Sequence, residues 1–501
     1  MSLLGLDVGI TGCKAVIFSP DGRQLARSYR EYPLHIPHPG WMELDPEDVW
    51  HAVQTVIQEA AAAIPGDPVR ALSVSTHGES VLPIDQDGRP LSRFLTALDT
   101  RATAQTEWWE EQLGRKRLFR ITGMPLHPMY TINKIMWLRQ HQPDIYSQAK
   151  RFLCMEDFIL HRLGLPPTID HSLAARTMAF DIVRREWSVE ILSLAQVDPA
   201  QLSTLVPSGT VVGKVHDSMA EVLGLAPGVL AVTGGHDQPC GALGVGVISE
   251  GIAMDSTGTV ECLAVAWPRP VLDDVILESN LPCAPHVVEG LYTVLGYTST
   301  AGGLLRWYRD NFAAVELAEA QRTGCDVYDL ILAQATKEPA DVFVLPHFIG
   351  SGTPWMDPNS KGAILGLTLS TDKGQIIKAL LDSITYETRL SLDAMLGANI
   401  TIRELRAHGG GARSPLWLQL KADIFNLPVM VMDVAEAACL GTAILSGVAA
   451  GEFGSIREGV ARMVRIQRTY VPDPERHARY EEKYRIFTHI YPALAELNHQ
   501  M

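Results

Sequence analysis

No apolar run in the 501-residue chain approaches the ~20 residues that a membrane-spanning helix requires. Basic residues are also scarce: 42 Lys and Arg face 57 Asp and Glu, a formal charge of −15, and no Lys/Arg stripe offsets it. A nucleic-acid or membrane-surface partner is therefore not expected, since such partners are held by a local excess of positive charge. No CxxC pair occurs; the seven cysteines (Cys13, Cys154, Cys240, Cys262, Cys283, Cys325 and Cys439) are single and scattered, which argues against a disulfide framework and a structural zinc site. The chain opens MSLLGLDVGI, with Asp7 early and no basic segment ahead of an apolar stretch, so a cytoplasmic protein is expected. Walker A (GKS or GKT), GxGxxG after the first strand and GxSxG are all missing, which sets aside P-loop, Rossmann and α/β-hydrolase readings.

What is present reads as α/β. LLGLDVG and CKAVIFS form a hairpin, Pro20-Asp21-Gly22 turns the chain, and QLARSYREY returns as a third strand. Asp45 then caps a helix with Pro46 at its first position and Trp50, Val53, Val56, Ile57 and Ala60 on one face. ALSVST follows as a strand, and strand groups alternating with long helices predict a central mixed sheet. The second half begins alike: LAVTGG is a strand, a helix is placed from Gln238 to Gly244, and GIAMDSTGTVECLAVAW is another hairpin. Both hairpins run an apolar strand into an aspartate, then Gly and Thr, then a second apolar strand, a weak internal repeat that predicts two similar lobes. The expected divisions are 1–248, 249–455 and a helical tail at 456–501.

The turns suggest chemistry. Asp7-Val8-Gly9-Ile10-Thr11-Gly12 can aim backbone N–H groups at an anion, with Lys14 adding charge and Asp7 able to hold Mg²⁺. Ser256-Thr257-Gly258-Thr259 offers the same, and one such turn per lobe is what gripping a polyphosphate from both sides requires; an ordinary hairpin turn is the alternative for each. His408-Gly409-Gly410-Gly411-Ala412 lies between a strand and a helix start at Ser414, a layout suited to a purine lying on backbone, a structural αβ turn being the alternative. Asp237, after Gly234-Gly235-His236, ends a strand near the lobe junction and is the candidate general base, a helix cap being the alternative. His77 and Glu79, followed by Asp99 and Arg101, form a cluster suited to a polyhydroxylated ligand; zinc ligation by His77 and Glu79 lacks a third group at metal-site spacing.

These segments carry a resemblance. Met129 to His141, with Thr131, Lys134 and Trp137-Leu138, and Gly362 to Leu367 followed by Gln375, Ile376, Ala379 and Asp382, fit the two signatures of the FGGY carbohydrate kinases. Pro39 to Glu43, Gly409 to Ala412 and Glu436-Ala437-Ala438 before Gly441 support it, and the likeness runs to about Gly451. It implies a two-lobed fold of the actin/hexokinase/Hsp70 type (ribonuclease H-like), with ATP and a sugar or polyol bound between the lobes. It further implies that Asp237 is the base with Gln238 on the acceptor, that Asp7, Gly9 and Thr11 belong to the first phosphate turn, and Gly258 and Thr259 to the second. Ala301, Gly302, Gly303, the 409–412 glycines and Ser414 would frame the nucleoside, and Mg²⁺ would lie at Asp7 and Asp237. Ile10, Val260 and Ser351-Gly352 depart from the family pattern. The expected activity is phosphorylation of a ketose or polyol, a pentulose such as xylulose being a first guess; an actin-like ATPase switch and a lapsed sugar sensor are the rivals. Homodimers are expected only by analogy with the family.

Overall fold

The computed structural model describes residues 2–501. Its two main sheets share one plan. In the first, Ser2–Val8, Gly12–Phe18 and Gln24–Glu31 form an antiparallel meander, and Ser2–Val8 then pairs in parallel with Val69–Thr76, which pairs in parallel with Leu230–His236. Val211–Lys214 closes that edge antiparallel. In the second, Gly251–Thr257, Glu261–Trp267 and Tyr292–Thr298 repeat the meander, and Gly251–Thr257 continues in parallel to Ile402–His408 and Val429–Met432. The weak repeat of the two hairpins is thus the visible end of a duplicated five-strand topology.

Local chemistry explains the elements. The helix Pro46–Ala62 starts where Asp45 accepts from the Glu47 N–H, a cap contributing about 1 kcal/mol, and buries Val49, Trp50, Val53, Val56, Ile57 and Ala60. The strand Ser2–Val8 is buried throughout except at Asp7, as a strand covered on both faces should be. The helix Ala437–Ala449 crosses Asp237–Gly244 at their glycines: a Cβ on Gly244 would lie 1.8 Å from Ala437 O, and one on Gly441 1.9 Å from Cys240 O. That helix also packs on Ser2–Val8 and Val69–Thr76, so a late segment of the chain covers the first sheet and ties the lobes together.

The segment after residue 455 differs from the helical tail expected. Ile466–Tyr470 is a strand that joins Val429–Met432 at the edge of the second sheet. Four of its five residues are exposed, so it carries no apolar alternation by which a strand could be read. No helix of the described residues is long and apolar enough to cross a membrane.

Candidate active site

The parallel strands of both sheets end on one cleft. Register sets Val8 beside Thr76 and Thr76 beside His236, so Asp7, the 77–80 segment and Asp237 come together from three chain regions. Across the cleft, Ser256 pairs with His408, which brings the second turn against the glycine segment at 409–412. Carboxyl ends of parallel strands are where open α/β sheets bind ligands.

A cavity of about 270 Å³ lies between the lobes, lined by Asp7, Lys14, Asp237, Gln238, Ser256 and Glu436 among others. Asp237 opens its helix, and its Oδ1 is buried without a hydrogen-bond partner; His236 Nε2 stands 3.1 Å away but is not aligned to donate. Gln238 Oε1 is likewise unpartnered. Burial, with the nearby charges of Asp7 and Glu79, pushes the Asp237 carboxyl up to about 7, while Arg176 pulls the other way. A carboxylate with a free oxygen in a cleft and a pKa near neutrality is suited to accept a proton.

Lys14 is placed in this cavity but not as a bare cation. Its Nζ lies 2.8 Å from Glu436 Oε2 and 3.3 Å from Asp7 Oδ2, and Glu436 also takes Arg27 Nε at 2.9 Å. The Gly9 N–H donates to Gly12 O (3.0 Å) and the Gly258 N–H to Val260 O (2.8 Å), so these two donors, expected to face phosphate, close their own turns. Thr11 is exposed at the turn and does not line the cavity.

Where the acceptor is expected, Glu79 has a left-handed backbone (φ 64°), a conformation that costs a non-glycine residue on the order of 1–3 kcal/mol and persists only when its surroundings hold it. They do: the buried Arg176 pairs with its carboxylate, and Lys134 Nζ donates to its carbonyl (2.9 Å) and to Met129 O (2.5 Å). With only carbonyls as partners, burial lowers the Lys134 ammonium to about 8. Neither Arg176 nor Lys134 was assigned a role from sequence. Lys134 stood in a quoted signature, whereas Arg176, 97 positions from its partner, offers no local motif.

Three expected acceptor contacts are enclosed. His77 Nδ1 faces Val8 O (3.1 Å) and Nε2 faces the Ser80 hydroxyl; burial holds the ring near pKa 4, a neutral pin between strand ends. Arg101 donates to Asp99 from Nε (2.8 Å) and Nη2 (2.7 Å) and to Glu43 (2.7 Å), and lies 3.8 Å from the Trp41 ring centroid. The Asp99 and Arg101 side chains, 0% and 1% exposed, are paired inward beneath Trp41.

A second cavity, of about 300 Å³, adjoins the second turn. Gly258 and Thr259 of that turn line it with Gly302, Gly410, Gly411 and Ser414, and Leu305, Arg306, Tyr328, Arg413 and Trp417, given no site role from sequence, line it too. Gly303 closes onto Thr259 O (3.0 Å), Ala412 sits against the core, and Ser414 caps the following helix by accepting from the Trp417 N–H. A Cβ on Gly411 would lie 2.5 Å from Thr257 Cγ2, so Gly411→Ala should push the glycine segment off the turn. A several-fold rise in the Kd for ADP, measured calorimetrically, is expected with little change in acceptor affinity.

Family models describe the chain's two halves as the N-terminal domain (residues 2–244) and the C-terminal domain (residues 253–450) of the FGGY carbohydrate kinases. The chain belongs to that family. It is 30% identical to the gluconokinase of Bacillus subtilis over 97% of this chain and 95% of that protein. It is 31% identical to the autoinducer-2 kinase of Escherichia coli over 96% and 92%. Among solved structures, a xylulose kinase from Lactobacillus acidophilus superposes with a TM-score of 0.90, at 24% identity and with 99% and 98% coverage, a likeness of fold. This FGGY kinase is therefore a two-lobed α/β ATP-dependent phosphotransferase that acts on a sugar hydroxyl. The actin-like ATPase-switch rival falls away with that membership.

Proposed function

We propose that the acceptor is a neutral polyhydroxylated compound, a ketose or alditol, and that Asp237 takes the proton from its attacking hydroxyl. The observation that carries this reading is the unpartnered Asp237 oxygen in the cleft, with a Glu79–Arg176 pair whose charges act on it. Glu79 already matches the Arg176 charge, and Asp7 and Asp237 add negative charge, so a carboxylate acceptor would have to displace Glu79. Neutral hydroxyls can share the acceptor oxygens instead.

The nucleoside belongs in the cavity beside Gly411 and Trp417, with its phosphates reaching between the two turns toward Asp7. The oxygen donors Asp7, Asp237 Oδ1 and Gln238 Oε1 suit a hard cation, and no cluster of three or more His, Cys, Asp or Glu side chains with metal-binding geometry exists among the described residues. Mg²⁺ would therefore take most of its ligands from phosphate and water, and when bound it supplies charge neutralisation. Asp7 is oriented by the Ser75 hydroxyl (3.0 Å) and balanced by Lys14. Lobe closure would exclude water that competes with the acceptor.

ADP release from Mg-ATP across ketoses, alditols and aldonic acids tests the reading. Stimulation by one neutral compound at least tenfold over background is expected. A response confined to aldonic acids would overturn the neutral acceptor and show that Arg176 exchanges Glu79 for a substrate carboxylate.

A further inference from the structure

The strand that delivers Asp237 is irregular. Thr233 pairs with Val74 and Gly235 with Ser75, so Gly234 is an extra residue, a β-bulge three positions before the base. Bulges re-aim the chain at active sites and leave a backbone group outside the ladder. Here the freed Gly234 N–H donates to Glu156 Oε1 at 2.8 Å, while Glu156 Oε2 accepts from the Asp170 N–H at 2.9 Å. Glu156 is 0% exposed, on the helix Met155–Arg162. A second arm continues from Asp170: its carboxylate accepts from the Ser172 and Leu173 N–H groups and the Ser208 hydroxyl, and Ser172 Oγ accepts from the His236 N–H at 2.9 Å. The two residues on either side of Gly235 are thus each anchored by a side chain.

We propose that Glu156 is a positioning residue for phosphoryl transfer: with the Asp170–Ser172 arm, it fixes the bulge at Gly234 and thereby aims Asp237 into the cleft. The inference rests on Asp237 being the base. A buried carboxylate close to a second one, Asp170, is costly, and core packing alone would be served by an apolar residue or a glutamine. Burial and the Asp170 charge push the Glu156 carboxyl well above its ordinary value, and the two N–H groups, one on each oxygen, pull it back toward the carboxylate; a glutamine would turn its NH₂ toward one of the two donors. The bulge packs too closely for any side chain: a Cβ on Gly234 would lie 2.1 Å from Val74 O, and one on Gly235 2.5 Å from Ser172 Oγ.

Glu156→Gln, Ser172→Ala and Asp237→Asn, assayed beside the wild type with ATP and the panel compound of highest turnover, decide the matter. For Glu156→Gln, a fall in kcat of about 10²-fold is expected, the scale of an ångström-level misplacement, with both KM values within twofold. Ser172→Ala, the milder change, should lower kcat about tenfold with the same KM pattern. If Glu156→Gln does not fold, Ser172→Ala carries the decision alone. Wild-type kcat in a folded Glu156→Gln, or parallel losses in kcat and both KM values, overturns the positioning role while leaving the base in place. Full turnover in Asp237→Asn instead overturns the base assignment and the inference with it.

Discussion

Asp237→Asn should lower kcat by about 10³-fold, within the range that a positioned general base supplies, while ADP binds within about twofold of wild type. The dissociation is expected because Asp237 is not among the residues that line the cavity proposed for the nucleoside. The pH dependence gives an independent reading. Burial raises the Asp237 carboxyl to about 7, and the ionised form is the working one, so kcat/KM should fall tenfold per unit as pH drops below that value and level off above it. Stability runs the opposite way. The folded pKa lies above the unfolded value of about 3.9, so the native state holds a proton that the unfolded chain has released across that window. The fold therefore weakens as pH rises from about 4 to about 7 and levels off once Asp237 is ionised in both states. Asp237→Asn should therefore melt higher than wild type at pH 8, with the difference closing below about pH 4. An unaltered acid limb in the variant's residual activity, or equal Tm values at pH 8, would contradict the assignment.

The reach of the sequence followed the range of the interactions. Hairpins, the Asp45 and Ser414 caps and the strand ends at Asp7, Asp237 and His408 were legible because they rest on short patterns of apolar alternation, capping and glycine. Asp7, Asp237, Ser256 and Gly409 line one cavity because parallel register places strand ends side by side. What went unread depends on distant pairing. Arg176 for Glu79, Glu436 for Lys14 and Glu156 for Gly234 are separated by 97, 422 and 78 positions, and no local spacing announces them. His77, Asp99 and Arg101 were polar at the right place in the chain, yet the fold turned them inward. A cluster of hydrogen-bonding residues near a strand end serves the loop that carries the site as readily as the ligand.

Lys421→Met should be the most damaging single change to stability. The ammonium is buried beneath the second turn, 2.7 Å from Asp255 Oδ2 and 3.2 Å from Glu261 Oε2, and it donates to Thr257 Oγ1 at 2.5 Å. Its side chain is 2% exposed and both carboxyls 0%, so Lys421 is the cation that offsets acidic groups drawn out of water, with the Thr257 hydroxyl 3.4 Å from Asp255 and 3.5 Å from Glu261. Removing one partner of such a buried pair costs about 3–5 kcal/mol, because the remaining charge stays desolvated. For a lobe of this size that is a Tm lower by on the order of 10 °C. Since Thr257 carries the turn and packs under Gly411, the KM for ATP should rise in parallel. The pH trend follows from the same charges. Burial already pushes the Glu261 carboxyl up to about 7 with Lys421 beside it; without the lysine it rises further, so the variant gains stability relative to wild type as that carboxyl protonates. Its deficit should shrink between pH 8 and pH 5. Adding Asp255→Asn and Glu261→Gln to Lys421→Met should restore at least half of the lost stability, since the damage comes from the uncompensated charges. A deficit that grows toward low pH, or a triple variant no more stable than Lys421→Met, would show that the lysine acts by packing and not by charge.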